Sequence, residues 1–311
     1  MSNPTVRQLE YLTALGEHLS FHRAADACHV SQPGLSAQLR ELETTLGVRL
    51  FERDRRQVIP TTVGEALIPR ARAILTAVDE LVEAARGLAQ PLTGTIRLGV
   101  IPTVAPFVLP RVLPEVRTRY PALRLLLREE QTAASIALLN AGRLDVVLLA
   151  LEADLGDVAT LPLFEDPFVL TMPLDHPLSR RQRIREADLE EQEVLLLDDG
   201  HCLRDQALDV CDRAGVHELG DVRATSLGTL VQMVASGLGV TLLPAMALPI
   251  ETERQTQLAY RRFVSPEPHR TIGLAWRRNS AREAEFHLLA KLLSASAPAP
   301  RPRRHRSLRN T

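Results

Sequence analysis

Residues 18 to 53 read HLSFHRAADACHVSQPGLSAQLRELETTLGVRLFER, and the spacing of apolar residues in this run decides how the chain is organised. RAADACHV suits a short helix. After a break, Ser31 stands where an N-cap belongs, with Pro33 in the first turn, where a missing N–H is tolerated. From there Leu35, Leu39, Leu42 and Leu46 recur at helical spacing and predict one apolar stripe, ended by Gly47. The opposite face carries Pro33, Ser36, Ala37, Arg40 and Thr44. Two short helices around a tight turn, the second with small polar residues outward, describe a helix-turn-helix, whose second helix suits a DNA major groove.

Outward from this motif, FERDRRQVIPTTVG (51–64) clusters Arg53, Arg55 and Arg56 beside a short apolar run, as in a two-stranded wing. Thr61 or Thr62 is placed to cap a long helix through GEALIPRARAILTAVDELVEAARGLAQ, with Pro69 in its first turns. Its Leu67, Ile74, Leu75, Val78, Leu81 and Leu88 are spaced as a seam, for which the simplest partner is the same helix of a second subunit. From Thr93 the pattern changes. TIRLGVIPT, LRLLLREE, LDVVLLAL, FVLTMP, EVLLLDD, VRATS, VTLLPA and RTIGLAW read as strands, mostly of the near-continuous apolar type buried on both faces, with helical stretches such as VLPRVLPEVRTRYP and SLGTLVQMVASGLG between most of them. This alternation predicts parallel sheets covered by helices, in two subdomains with a cleft between them.

The expected fold is therefore an N-terminal all-α winged helix-turn-helix (1–60), a long linker helix (61–92) and a C-terminal α/β module (93–300). The module is read as two Rossmann-like subdomains, 93–163 with 268–300 and 164–267. The Pro- and Arg-rich residues 301–311 read as a disordered basic tail.

With 37 basic and 38 acidic residues the chain is no polycation, so any nucleic-acid contact must come from a local patch. No apolar run approaches the roughly 18 residues of a membrane span, and the N-terminus lacks a signal peptide pattern. A soluble, cytoplasmic protein without membrane contact is expected. Gln32, Ser36 and Arg40 are best placed to reach base edges, while Ser31, Arg53, Arg55 and Arg56 suit phosphates.

The three cysteines are Cys28, Cys202 and Cys211. Cys28, alone in the first helix of the motif, reads as a small buried hydrophobe. The other two bracket DDGHCLRDQALDVC (198–211). If that segment is helical, their Cα atoms lie about 13 to 14 Å apart at 1.5 Å per residue, and a disulfide requires about 4.4 to 6.8 Å. They can bond only if the segment unwinds. From the residues alone, inert core thiols and a redox pair are both open. A metal site from His201, Cys202, Cys211 and His217 lacks the close paired spacing of zinc motifs, so neither metal nor cofactor is expected. Thr103 and Thr132 fit helix-capping positions.

The run from Arg7 to Arg53 resembles the winged helix-turn-helix of LysR-type transcriptional regulators, and the order and lengths of the later segments fit that family across nearly the whole chain. Within the family, GHCLRDQALDVC, GVIPTVAPFVLP, EEQTAASIALLNAGRLD, RATSLGTLVQMVASGLGVTLLPA and EPHRTIGLAWR are similar to segments of its peroxide-sensing members. The resemblance implies that Cys202 is the peroxide-reacting thiol and Cys211 the resolving thiol. It places Thr103, Thr132, His201, Arg204, Asp205 and Arg270 in or near the redox pocket. It also implies a homodimer or homotetramer on promoter DNA, RNA polymerase as a partner, and a glutaredoxin- or thioredoxin-type dithiol as reductant. A thiol flanked by His201 and Arg204 at a helix start has surroundings that favour a thiolate. Where some relatives carry a histidine two positions before the RATSL arginine, this chain has Asp221. The competing expectations are a LysR-type regulator that binds a small metabolite in the cleft, and a thiol peroxidase that turns over.

Overall fold

A computed structural model describes residues 3–53, 58–87, 91–190, 192–213, 218–251 and 257–295. The chain divides into two compact units, one up to Pro91, with 140–143 assigned to it, and one from Leu92 onward. In the first unit, α1 (Val6–His18), α2 (Phe21–Ala27) and α3 (Gln32–Leu46) precede β1 (Phe51–Arg53) and β2 (Val58–Pro60), which pair antiparallel, and α4 (Thr62–Gly87) follows. Ser31 caps α3, its hydroxyl accepting from the Gly34 amide at 3.3 Å, and Gly47 ends the helix at φ 70°. Thr61, rather than Thr62, caps α4, accepting from the Gly64 amide at 3.0 Å.

Leu35, Leu39 and Leu42 are fully buried with Leu12, Leu15, Ala24 and Ala25, each large side chain contributing roughly 1.5–3 kcal/mol. Leu46 departs from the expected stripe: it lies in the last turn, where the helix runs past the edge of this small core, and it is 37% exposed. The seam expected along α4 also splits. Leu67 and Leu75 pack on the core of the first unit, Val78 is half-buried, Ile74 and Leu81 are exposed, as is the neighbouring Val82, and Leu88 lies outside the described residues. Cys28 is the C-cap of α2 and half-buried rather than fully so, and burial together with Glu10 pushes its thiol pKa up.

The second unit runs β3 (Gly94–Val100), α5 (Ala105–Arg119), β4 (Leu123–Glu129), α6 (Thr132–Asn140), β5 (Val146–Ala150), β6 (Val158–Pro173) and β7 (Arg183–Ile184). It continues through β8 (Val194–Leu197), α7 (Cys202–Arg213), β9 (Glu218–Ala224), α8 (Leu227–Ala235), β10 (Thr241–Pro244), α9 (Leu248–Glu251), β11 (Leu258–Phe263), β12 (His269–Arg277) and α10 (Glu283–Ala295). β3 pairs parallel with β4 and β5 through helical crossovers, and β8 pairs parallel with β9. The expectation of parallel sheets holds for these strands and for the short β7–β11 pair, and fails for the rest. β12 is antiparallel to both β5 and β6, and β10 and β11 are antiparallel to β6. An unbroken apolar run reports burial on both faces but not strand direction, and β12, which arrives late in the chain, inserts between β5 and β6 and runs against both.

The strand expected at FVLTMP is the end of the 16-residue β6. Its first part, up to Pro167, pairs with β12, and its remainder pairs with β10 and β11. Pro162 and Pro167 disguise that first part in the sequence, since proline argues against a central strand. One continuous apolar core underlies both parts and includes Cys202 and Cys211. Trp276, the single tryptophan, is buried on β12 against Phe286 and His287 of α10, with ring centroids 5.6 and 5.7 Å away.

Candidate functional site

On α3 the residues opposite the buried leucines face outward. Ser31, Gln32, Pro33 and Arg40 are exposed and Ser36 is half-exposed, and the Arg40 Nε donates to the Ser36 carbonyl at 3.3 Å. These five side chains therefore share one accessible face of a helix fixed by its cap and its leucines. Arg55 and Arg56 and the side chain of Arg53 lie outside the described residues.

In the second unit, Gly200 at φ 89° turns the chain into α7, so that Cys202 becomes its first residue and Cys211 stands in its last turns. Neither thiol is in a disulfide, and both are buried, at 8% and 2% exposure. With the intervening residues helical, nine steps of about 1.5 Å hold them far beyond disulfide reach. The helix must open before they can bond.

Cys202 lines a recess of about 160 Å³, counting its open mouth, together with Ile101, Pro102, Thr103, Gln131, Thr132, Gly200 and His201. Behind that mouth there is no room for even a water-sized sphere, so no ligand of ordinary size fits and only a very small molecule can approach the thiol as the walls give. Two threonines supply its polarity. Thr132, at the start of α6, is 7% exposed and its hydroxyl oxygen has no hydrogen-bond partner among the described residues. Thr103 is 3% exposed; its hydroxyl oxygen accepts from Arg270 Nη1 at 3.0 Å and its carbonyl from Arg270 Nη2 at 3.0 Å. The Thr103 hydroxyl proton is thereby left to be donated elsewhere.

Arg270 does not line the recess. It is 0% exposed and acts through Thr103, while its Nε donates to Asp166 Oδ2 at 3.0 Å. Arg270 on β12 and Asp166 on β6 are register partners across the antiparallel pair, and Asp166 Oδ1 also accepts from the Met246 amide at 3.0 Å. Burial raises the Asp166 pKa, outweighing the attraction of Arg270. Asp166 is absent from the residues expected at the site; with Glu165 beside it and Pro167 between it and FVLTMP, the sequence around it does not separate a buried ion-pair partner from a surface carboxylate.

His201 is 7% exposed, and burial lowers its pKa against the opposing pull of Asp198 and a hydrogen bond to the Thr225 backbone. A folded pKa below the unfolded value near 6.5 means that the unfolded chain takes up the proton first. The stabilising contribution is therefore present above about pH 6.5 and is lost as pH falls towards the lower folded pKa. Urea midpoints between pH 7.5 and 5.5 are expected to drop less in His201→Asn than in the parent chain.

Arg204 and Asp205 fall outside the recess. Arg204 is buried under α7, donating to Asp199 at 2.9 Å and to the Leu197 carbonyl at 3.4 Å, and Asp199 in turn pairs with Arg223 at 2.7 Å. Asp205 is exposed. No group of three or more metal-ligating side chains occurs among the described residues; His217 and the Asp221 side chain lie outside them. Among the described residues no helix is long and apolar enough to cross a membrane.

Residues 6–65 match the model for bacterial regulatory helix-turn-helix proteins of the LysR family, and residues 89–298 match the LysR substrate-binding domain. The chain belongs to the LysR family. It is 50% identical over 291 residues to a probable hydrogen peroxide-inducible genes activator of Streptomyces viridosporus, covering 93% of each chain. It is 45% identical to the DNA-binding transcriptional dual regulator OxyR of Escherichia coli K12, covering 93% of this chain and 95% of that one. Among solved structures it resembles a full-length OxyR variant from Pseudomonas aeruginosa, with TM-score 0.76 and 35% identity over 94% of this chain and 98% of that one. It also resembles an H2O2-bound OxyR variant from Corynebacterium glutamicum, with TM-score 0.67 and 39% identity over 95% and 93% of the two chains.

Proposed function

We propose that this chain is a transcription regulator that senses hydrogen peroxide through Cys202 and Cys211. The observation that carries the reading is the placement of two cysteines, neither in a disulfide, towards opposite ends of one helix, the first in a recess beside a threonine hydroxyl with no hydrogen-bond partner among the described residues. In the first step the Cys202 thiolate attacks one peroxide oxygen. The O–O bond breaks, an S–O bond forms, and the departing hydroxide takes a proton to become water. α7 then opens, the Cys211 sulfur displaces the hydroxyl of the Cys202 sulfenic acid as water, and a disulfide results. A cellular dithiol of glutaredoxin or thioredoxin type returns the two electrons.

The chemistry couples to shape because the bond and the helix exclude one another. Oxidation shifts the molecule to a second packing of this segment. On DNA, α3 enters the major groove with Gln32, Ser36 and Arg40 towards the bases, and Ser31, Pro33 and the arginines 53, 55 and 56 lie along the backbone. The exposed Ile74, Leu81 and Val82 of α4 favour pairing with a second copy, and the family resemblance extends this to a tetramer that engages RNA polymerase at promoters. Each molecule reacts once per reduction and is a switch rather than an enzyme.

The deciding experiment is a peptide mass map of reduced protein before and after brief stoichiometric peroxide, with free thiols trapped in acid. A Cys202–Cys211 disulfide at low peroxide, absent in Cys202→Ser, is expected. Two thiols that stay free, or reaction at Cys28 alone, would sink the proposal. Arg40→Ala is expected to weaken promoter binding by about 1–3 kcal/mol and to relax preference at one base position. A uniform loss across all sequences would move Arg40 to the phosphates.

A further inference from the structure

The mouth of the Cys202 recess is partly formed by Gln131, an exposed residue immediately before α6. Its terminal amide sits directly over Gly200. A Cβ added at residue 200 would meet the amide oxygen at 2.6 Å, the carbonyl carbon at 3.1 Å and the nitrogen at 3.2 Å. The backbone there has φ 89°, so only glycine holds this turn without strain and leaves room for the amide. A long side chain from one loop thus lies across the bare backbone of the residue two before the thiol, beside a recess too small for an ordinary ligand.

We infer that Gln131 is a specificity-determining residue that closes the recess over Cys202 and restricts its oxidant to hydrogen peroxide, excluding hydroperoxides with a bulky alkyl group. The inference rests on the proposed role of Cys202. The chemistry is the same for either oxidant: sulfur gains one oxygen as the O–O bond breaks, and the other oxygen leaves as water from hydrogen peroxide or as an alcohol from an alkyl hydroperoxide. Only the space beyond the attacked oxygen differs. Hydrogen peroxide ends there in a hydrogen atom, while tert-butyl or cumene hydroperoxide must place a branched carbon where the Gln131 amide lies.

The test compares second-order rates of Cys202 oxidation in full-length reduced Cys211→Ser protein, reading sulfenic acid by mass after trapping with a carbon acid. The oxidants are hydrogen peroxide, tert-butyl hydroperoxide and cumene hydroperoxide. Gln131→Ala is expected to raise both alkyl hydroperoxide rates at least tenfold and to leave the hydrogen peroxide rate within about threefold. Gln131→Met, of similar length but unable to hydrogen-bond, is expected to restore the discrimination, because closure is steric. A ratio of alkyl to hydrogen peroxide rates unchanged in Gln131→Ala overturns the inference while leaving the sensor role intact. Equal loss of reactivity with all three oxidants also overturns it, since that marks a merely structural residue. Cys202 that ignores hydrogen peroxide in the parent sequence removes the sensor role itself.

Discussion

Asp166→Ala is expected to destabilise the second unit by about 3–5 kcal/mol, read as a fall in the urea midpoint of the reduced protein, because it strands the fully buried Arg270 guanidinium without a counter-charge. The expected loss exceeds the net worth of the pair. Burial already raises the Asp166 pKa against the pull of Arg270, which shows how much desolvation the carboxylate bears. Removing both charges should therefore recover much of the loss, and Asp166→Leu with Arg270→Met is expected to be closer to the parent in stability than Asp166→Ala. The double variant also releases Thr103 from its two hydrogen bonds, so it should remain slow towards peroxide even where it folds well. A loss below about 1 kcal/mol in Asp166→Ala would show that solvent or a neighbour satisfies Arg270, contrary to its complete burial.

Thr132→Val is expected to act in opposite directions on stability and on reactivity. The hydroxyl is buried without a partner, a condition that costs about 1–3 kcal/mol, and valine replaces it with a methyl of nearly the same shape. The reduced fold should therefore hold or gain slightly in urea. Oxidation of Cys202 by hydrogen peroxide should nevertheless slow at least tenfold, in line with the loss of one donor aimed at developing negative charge. A variant less stable than the parent would mean that the hydroxyl is hydrogen-bonded after all. An unchanged oxidation rate would place the peroxide elsewhere along α7.

Much of this architecture can be read from local chemistry. Ser31, Thr61 and Gly47 mark helix ends because a side-chain oxygen or a left-handed backbone satisfies amides or carbonyls that any helix leaves open. The leucines of α3 follow from the same logic, except for Leu46, whose exposure depends on where the small core stops. The two cysteines are legible as a pair with a geometric conflict, since helix rise alone keeps them apart. The antiparallel joins of β12 with β5 and β6 are not legible, because pairing direction there is settled by contacts between residues far apart in the chain, such as Arg270 with Asp166. Nor is the position of Gln131 over Gly200, which requires two distant loops to meet. Arg204 and Asp205, adjacent in sequence to Cys202, show the converse: neighbours along a helix point in different directions, and neither reaches the recess.

The environment of Trp276 gives the molecule an optical reference of its own. The indole is 2% exposed, its N–H has no hydrogen-bond partner among the described residues, and it lies on β12 against α10, outside the segment that must open when the thiols join. An indole in such dry surroundings emits at short wavelength, and being the single tryptophan it emits without interference. Its fluorescence should hold nearly steady through a cycle of peroxide and dithiol while the thiol count falls by two and recovers. Loss of the blue emission during the cycle would signal that the sheet itself, and not only one helix, had come apart.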